Sequence, residues 1–159
     1  MSQKSSAREW YAKGVRFECQ GSGKCCVSHG EYGYVYVTAA DRKRMAKLRG
    51  IPTVEFTRTF CIKEEGLFRL IDGLSDDPKN PGAKPCVFLK KNRCEIYEAR
   101  PTQCRTWPFW PETMSAKAWK KDVVAFFPGV NKGRVWPREE NESLVQEQRL
   151  WERDVATGR

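Results

Sequence analysis

Seven cysteines in 159 residues constrain this chain more than any other feature of its sequence. Six of them form two groups, Cys19, Cys25 and Cys26 in FECQGSGKCC, and Cys86, Cys94 and Cys104 in CVFLKKNRCEIYEARPTQCRTWPFWP. The N-terminus MSQKSSAREW lacks the hydrophobic region of a signal peptide, so we expect a cytoplasmic protein. Clustered cysteines in a reducing compartment are more often metal ligands than disulfides. We therefore predict that the two groups meet around metal.

Two adjacent cysteines, Cys25 and Cys26, restrict the kind of metal site. Neighbouring side chains diverge, so both can bind one ion only if the loop is strained. Six thiols also exceed the four ligands of a closed tetrahedral zinc site. This surplus leaves a cluster with spare thiols, a two-metal site, or a metal site beside a redox thiol. Between the two candidate cofactors, we favour an iron–sulfur cluster over zinc.

The cysteine pattern resembles the CxxCxxCC family of zinc- or iron-chelating domains over about residues 15–135. The downstream half follows C-x-F-L, then C-x-I-Y-x-x-R-P-x-x-C-R-x-x-P-F, almost position for position. Two positions depart from the family pattern, because Ser22 and Phe127 stand where the family has cysteines. The resemblance implies metal binding through the six remaining thiols, without specifying a reaction.

Several other side chains have alternative predicted roles. Cys61 is predicted to be a buried or free thiol outside the site, and His29 has spacing compatible with a ligand but is more often a surface or core residue. Arg100 and Arg105 either donate hydrogen bonds to metal-bound sulfur or form ordinary surface pairs.

An aromatic segment follows the last cysteine of the downstream group. Trp107, Phe109 and Trp110 alternate with prolines, which favours rigid packing in the core. The alternative is that their rings stack on nucleic acid bases.

The net charge of +9 raises the question of an acidic partner. Most of the excess lies near the two cysteine groups, so it either offsets thiolate charge or attracts a polyanion. The alternative function is therefore a zinc-stabilised basic module that binds nucleic acid or an acidic protein. We expect an unknown protein partner and no membrane, and we do not favour nucleic acid.

The periodicity of the chain predicts a small α+β single domain over residues 1–159, with short helices and hairpins organised around a cysteine-ligated metal site. The motif core covers 15–135, and a C-terminal helix covers 137–155. Further elements are predicted as strands at 15–18, 30–38 and 67–71, helices at 39–49, 51–60 and 115–127, and a hairpin joining 86–89 to 94–97. Thr38 and Asp41 are predicted to form a capping box at the start of helix 39–49, and Gly50 is predicted to end it. The expected role is electron transfer, metal handling or assistance in a maturation pathway, and no catalytic constellation identifies an enzyme.

Overall fold

A computed structural model describes residues 10–21, 26–28, 34–75 and 77–159. These residues form short helices and antiparallel two-stranded sheets, which confirms the α+β class. The strands are β1 Val15–Phe17, β2 Val27–Ser28, β3 Cys61–Glu64, β4 Leu67–Leu70, β5 Lys84–Pro85, β6 Leu89–Lys90, β7 Arg93–Cys94 and β8 Val130–Trp136. The α-helices are α1 Ala39–Arg49, α2 Thr53–Phe60, α3 Thr102–Thr106, α4 Ala116–Ala118 and α5 Arg138–Ala156. A π-helix, Trp119–Val124, continues α4, and Tyr97–Ala99 and Pro111–Thr113 form single 3-10 turns. None of the helices in these ranges is long and apolar enough to cross a membrane.

The chain divides into two compact units. The described residues of the first unit are 10–21 and 106–150. Those of the second unit are 26–28, 34–75, 77–105 and 151–159. The single domain expected over residues 1–159 stays a prediction.

The first unit is built on an aromatic core. Its buried members are Tyr11, Val15, Phe109, Trp119 and Val123. Strand β1 pairs antiparallel with β8, and the register shifts between Arg16 and Phe17. Strand β8 was not predicted, because VNKGRVW has little apolar alternation.

The second unit begins its helical part with a complete capping box, as predicted. The Thr38 hydroxyl accepts a hydrogen bond from the Asp41 backbone, and the Asp41 carboxylate accepts one from the Thr38 backbone. Both bonds satisfy N–H groups that the first turn of a helix leaves open. Helix α1 ends at Gly50, whose φ of 68° is left-handed and suits glycine.

The core of the second unit is aliphatic and phenylalanine-rich. Its buried members are Val35, Val37, Met45, Ala46, Phe56, Leu70, Phe88 and Ile96. Strands β3 and β4 form one wall as a hairpin with Cys61 opposite Leu70. The extended segment 34–38 runs along β4. A strand was predicted over 30–38, but its described part forms a single β-bridge, between Tyr36 and Arg69. Residues 30–33 of that prediction lie outside the described residues.

Candidate metal centre

Cys19 lies in the first unit, directly after β1. The preceding residue is fixed by a close backbone approach, since Glu18 N donates to Gly129 O at 3.1 Å. A Cβ on Gly129 would lie 2.2 Å from Glu18 O, so only glycine fits there. Cys19 itself is exposed, and its sulfur accepts a weak hydrogen bond from Gly21 N at 3.5 Å. The backbone before Cys19 is therefore held while its thiol remains accessible.

Cys26 and Cys86 are brought together by strand pairing within the second unit. Strand β2 pairs antiparallel with β5, placing Val27 opposite Pro85. Beyond this pair, Cys86 N donates to Cys26 O at 2.6 Å. Cys86 also forms a β-bridge with Asp72. One residue of the upstream cysteine group thus lies beside one residue of the downstream group.

Cys94 is presented by the tight hairpin β6–β7. Lys91 and Asn92 form its two-residue turn with φ values of 49° and 61°. Positive φ at both positions is the signature of the turn that matches the twist of a short hairpin. The resulting register places Cys94 opposite Leu89. The predicted hairpin is present, although its paired strands are shorter than 86–89 and 94–97.

Cys104 lies on α3, whose first residue is held by a buried carboxylate. Asp41 has no exposed surface, and its Oδ1 accepts hydrogen bonds from Thr102 N at 3.0 Å and Thr102 Oγ1 at 2.8 Å. The same carboxylate accepts from Trp151 Nε1 at 2.9 Å and pairs with Arg44 at 2.7 Å. The capping residue of α1 therefore also fixes the start of the short helix that carries Cys104.

The pKa of Asp41 reflects this environment. Burial alone raises the pKa, but the hydrogen bonds from Thr38, Thr102 and Trp151 outweigh it. The net pKa lies below the ordinary value of 3.8, so the group is an anion at neutral pH. Asp41 was predicted only as a capping residue, because Thr102 and Trp151 are 61 and 110 positions away in the sequence.

Gln103, the residue before Cys104, provides a second anchor. Its Oε1 accepts from Tyr36 N at 3.1 Å, and its Nε2 donates to Tyr34 O at 3.0 Å. The side-chain amide thereby satisfies the edge of segment 34–38 in the way that a neighbouring strand would. Among the described residues, segment 34–38 pairs with β4 alone, and Gln103 occupies its other edge. Both residues that precede Cys104 are thus tied to distant parts of the second unit.

Cys61 differs from these thiols in its electrostatics. Burial raises its pKa to about 11, although the positive charge of Arg42 acts in the opposite direction. The thiol is therefore protonated at neutral pH, whereas metal ligands are thiolates. It forms no disulfide and packs against the core of the second unit. Cys61 is therefore a free, partly buried thiol, and its place outside the metal site stays a prediction.

The thiols of Cys26, Cys86, Cys94 and Cys104 are all half-buried. The last three border the same hydrophobic core. Within the described ranges, no three cysteine, histidine, aspartate or glutamate side chains converge closely enough to hold an ion. Cys25, and with it His29 and Ser22, lies outside those ranges. Thiols select zinc, copper(I) and iron–sulfur clusters, so this donor set fits the chemistry of the implied metal.

The aromatic segment after Cys104 packs into the first unit. Phe109 is buried, and the Trp107 ring contacts those of Trp110 and Phe127 at centroid distances of 4.6 and 5.2 Å. The core role predicted for this segment therefore holds for Trp107 and Phe109. Phe127, where the resemblance implies a cysteine in the family, is itself part of this packing.

Arg100 and Arg105 were predicted either to support the metal or to form surface pairs. The Arg100 guanidinium lies 3.9 Å from the Tyr97 ring centroid, and it donates to Tyr97 O at 2.9 Å. These contacts stabilise the turn after Cys94. Arg105 is half-buried next to Cys104.

Comparison with known proteins identifies the family. Residues 18–126, more than half of the chain, match the CxxCxxCC profile, described as "Putative zinc- or iron-chelating domain". An uncharacterized protein of Methanocaldococcus jannaschii is 26% identical over 119 residues, which cover 74% of this chain. The chain spans only 58% of that relative's length. No solved structure matches.

Proposed function

This chain belongs to the CxxCxxCC family, and we propose that it binds a metal centre through Cys19, Cys25, Cys26, Cys86, Cys94 and Cys104. The observation that carries the proposal is the hydrogen bond from Cys86 N to Cys26 O at 2.6 Å. It joins the two cysteine groups, which are 60 positions apart in the sequence, through the pairing of β2 with β5. Metal bound there would crosslink the two ends of the motif.

The proposed cofactor is an iron–sulfur cluster, with zinc as the alternative. The six thiols exceed what one tetrahedral zinc ion uses, and adjacent Cys25 and Cys26 suit a polynuclear centre. When bound, such a cluster accepts and donates single electrons. The half-buried Cys86, Cys94 and Cys104 border an apolar core. This core would limit the access of water to the ligands and so tune the reduction potential of the cluster.

The biological role that fits these features is electron transfer, or an accessory function in metal handling or maturation, with a protein partner. The cytoplasm, where thiols remain reduced, is the compartment we propose.

Anaerobic purification with metal and sulfide analysis tests the cofactor. We expect stoichiometric iron and sulfide, with a broad absorption band near about 400 nm. A colourless protein with one zinc ion and no sulfide would contradict the cluster and leave the zinc site.

Cysteine substitutions test the ligand set independently of the cofactor. Cys26→Ser and Cys94→Ser should each abolish or strongly reduce metal uptake, because each removes a thiolate ligand. Cys61→Ser is the matched control, since this thiol lies outside the two cysteine groups. Loss of metal in the control would show that the ligand assignment is wrong.

A further inference from the structure

The tip of the β6–β7 hairpin concentrates positive charge. Lys90 and Arg93 are cross-strand partners, and Lys91 occupies the turn between them. All three are exposed, and across the described parts of the chain none of them forms an ion pair. Like charges directly opposite each other destabilise a hairpin. An anionic partner would offset this repulsion.

These tip cations lie on the opposite face of the hairpin from Cys94. Because successive residues of a strand point to opposite faces, Lys90 and Arg93 share one face, while Leu89 and Cys94 share the other. The Cys94 face packs against the core of the second unit. The tip charges are therefore directed away from this thiolate, and neutralisation of Cys94 does not explain them.

Helix α1 extends the basic surface to the base of the hairpin. The Arg49 guanidinium lies 5.5 Å from the Phe60 ring centroid and 5.8 Å from that of Phe88, the residue that precedes β6. Lys43, Lys47 and Arg49 are all exposed on α1. The buried Asp41 is the single acidic residue of this helix. The charged groups exposed on α1 are thus all cationic.

An exposed aromatic ring adjoins the same hairpin. Tyr97 is 51% exposed, and the Arg100 guanidinium stacks on it at 3.9 Å. Arg44 of α1 donates to Arg100 O at 3.2 Å, which ties this pair to the basic helix. A ring and a guanidinium plane together offer a stacking surface for an unpaired base, whereas the carboxylates of an acidic peptide would use the guanidinium alone.

We propose that the exposed cations of α1 and of the hairpin tip, with Tyr97, form a binding surface for single-stranded nucleic acid. Lys43, Lys47, Arg49, Lys90, Lys91 and Arg93 contact phosphates, and a base stacks on Tyr97. Phosphate contacts supply most of the affinity and make it depend on salt. This function is separate from metal binding and does not rest on it.

Fluorescence anisotropy with dye-labelled oligouridylate and oligodeoxythymidylate tests the surface. A triple variant, Lys90→Gln, Lys91→Asn and Arg93→Gln, keeps the turn because asparagine tolerates positive φ. It should lower affinity at low salt at least about tenfold and reduce the slope of log affinity against log salt by about 2. The two probes distinguish RNA from DNA, and binding of either supports the proposal.

The matched control is Lys117→Gln, Lys120→Gln and Lys121→Gln. These exposed lysines belong to the first unit, and their removal lowers the net charge equally. The control should retain affinity and slope. An equal loss in the control, an unchanged slope in the tip variant, or absence of binding by the natural protein would overturn the proposal.

Two further measurements separate the possible partners and the effects of metal. Tyr97→Ala should weaken oligonucleotide binding about fivefold or more. Poly-L-glutamate that binds the natural protein as tightly as the oligonucleotides would overturn nucleic acid in favour of an acidic protein. If the tip variant loses metal, the double variant Lys43→Gln and Lys47→Gln replaces it in the test of nucleic acid binding. An unchanged slope of log affinity against log salt in the double variant would overturn the proposal.

Discussion

The interiors of the two units use different chemistry. The first unit buries aromatic rings with neutral polar groups, and its described buried side chains carry no charge. The second unit buries Asp41 and Arg69 beside an aliphatic core that Cys86, Cys94 and Cys104 border. A buried charge is stable only while every partner stays in place, whereas aromatic packing has no such strict requirement. The unit that holds most of the proposed ligands is therefore also the one with the stricter geometry.

The largest effect should follow removal of the buried carboxylate. Asp41→Ala leaves Thr102, Trp151 and Arg44 without their acceptor and should lower the free energy of unfolding by about 3–5 kcal/mol. Because these bonds fix the start of α3, metal retention should fall as well. Chemical denaturation and metal analysis measure the two effects. A loss below about 1 kcal/mol would contradict the strict geometry inferred for this unit.

Asp41→Asn serves as the control of similar size and tests the charge. The folded pKa lies below the ordinary value of 3.8, so the stability from the ionised carboxylate is fully present above that value. It is lost as the pH falls below 3.8 through the folded pKa. The asparagine variant should lack this part of the acid dependence. An unchanged pH profile in the variant would assign the acid dependence to other groups.

A pair of core substitutions compares the two units directly. Phe88→Ala and Phe109→Ala each empty a buried aromatic site, and each should cost about 3–5 kcal/mol. Phe88 packs in the core that Cys86, Cys94 and Cys104 border, so its loss should also reduce metal retention. Phe109→Ala should retain more metal at equal stability. Equal loss of metal in both variants would remove the distinction between the units.

A smaller effect is expected at Gln103. Gln103→Ala removes one donor and one acceptor from segment 34–38, at a cost of about 1–3 kcal/mol. Gln103→Glu keeps the acceptor for Tyr36 N but loses the donor to Tyr34 O, so an intermediate loss is expected. Denaturation curves of the two variants measure this order. If glutamate were as stable as glutamine, the bond to Tyr34 would contribute nothing.

Local interactions were the part of the fold that the sequence predicted well. The Thr38–Asp41 capping box and the end of α1 at Gly50 depend on residues a few positions apart. The hairpin was predicted because KKNR separates two strand-like segments. Long-range features were not predictable, because nothing local marks Asp41 as a partner of Trp151 or Gln103 as a partner of Tyr34 and Tyr36.

In the candidate site, too, local features were predictable from the sequence and long-range features were not. Cysteine type and spacing identified the family and its metal chemistry. They did not reveal that Asp41 and Gln103 anchor the residues before Cys104, nor that Gly129 holds the backbone before Cys19. These supports lie on other elements and become visible only when the chain is folded. The ligand set itself stays a prediction.

The two-residue turn at Lys91 and Asn92 has a consequence for how this segment can change in length. Side chains alternate between faces of the hairpin, so one residue inserted at the tip would move Cys94 to the face that now carries Arg93. Two inserted residues would return Cys94 to its original face of the hairpin. Seven residues separate Cys86 from Cys94. Variants of this loop that keep Cys94 on its present face should therefore differ in length by an even number of residues.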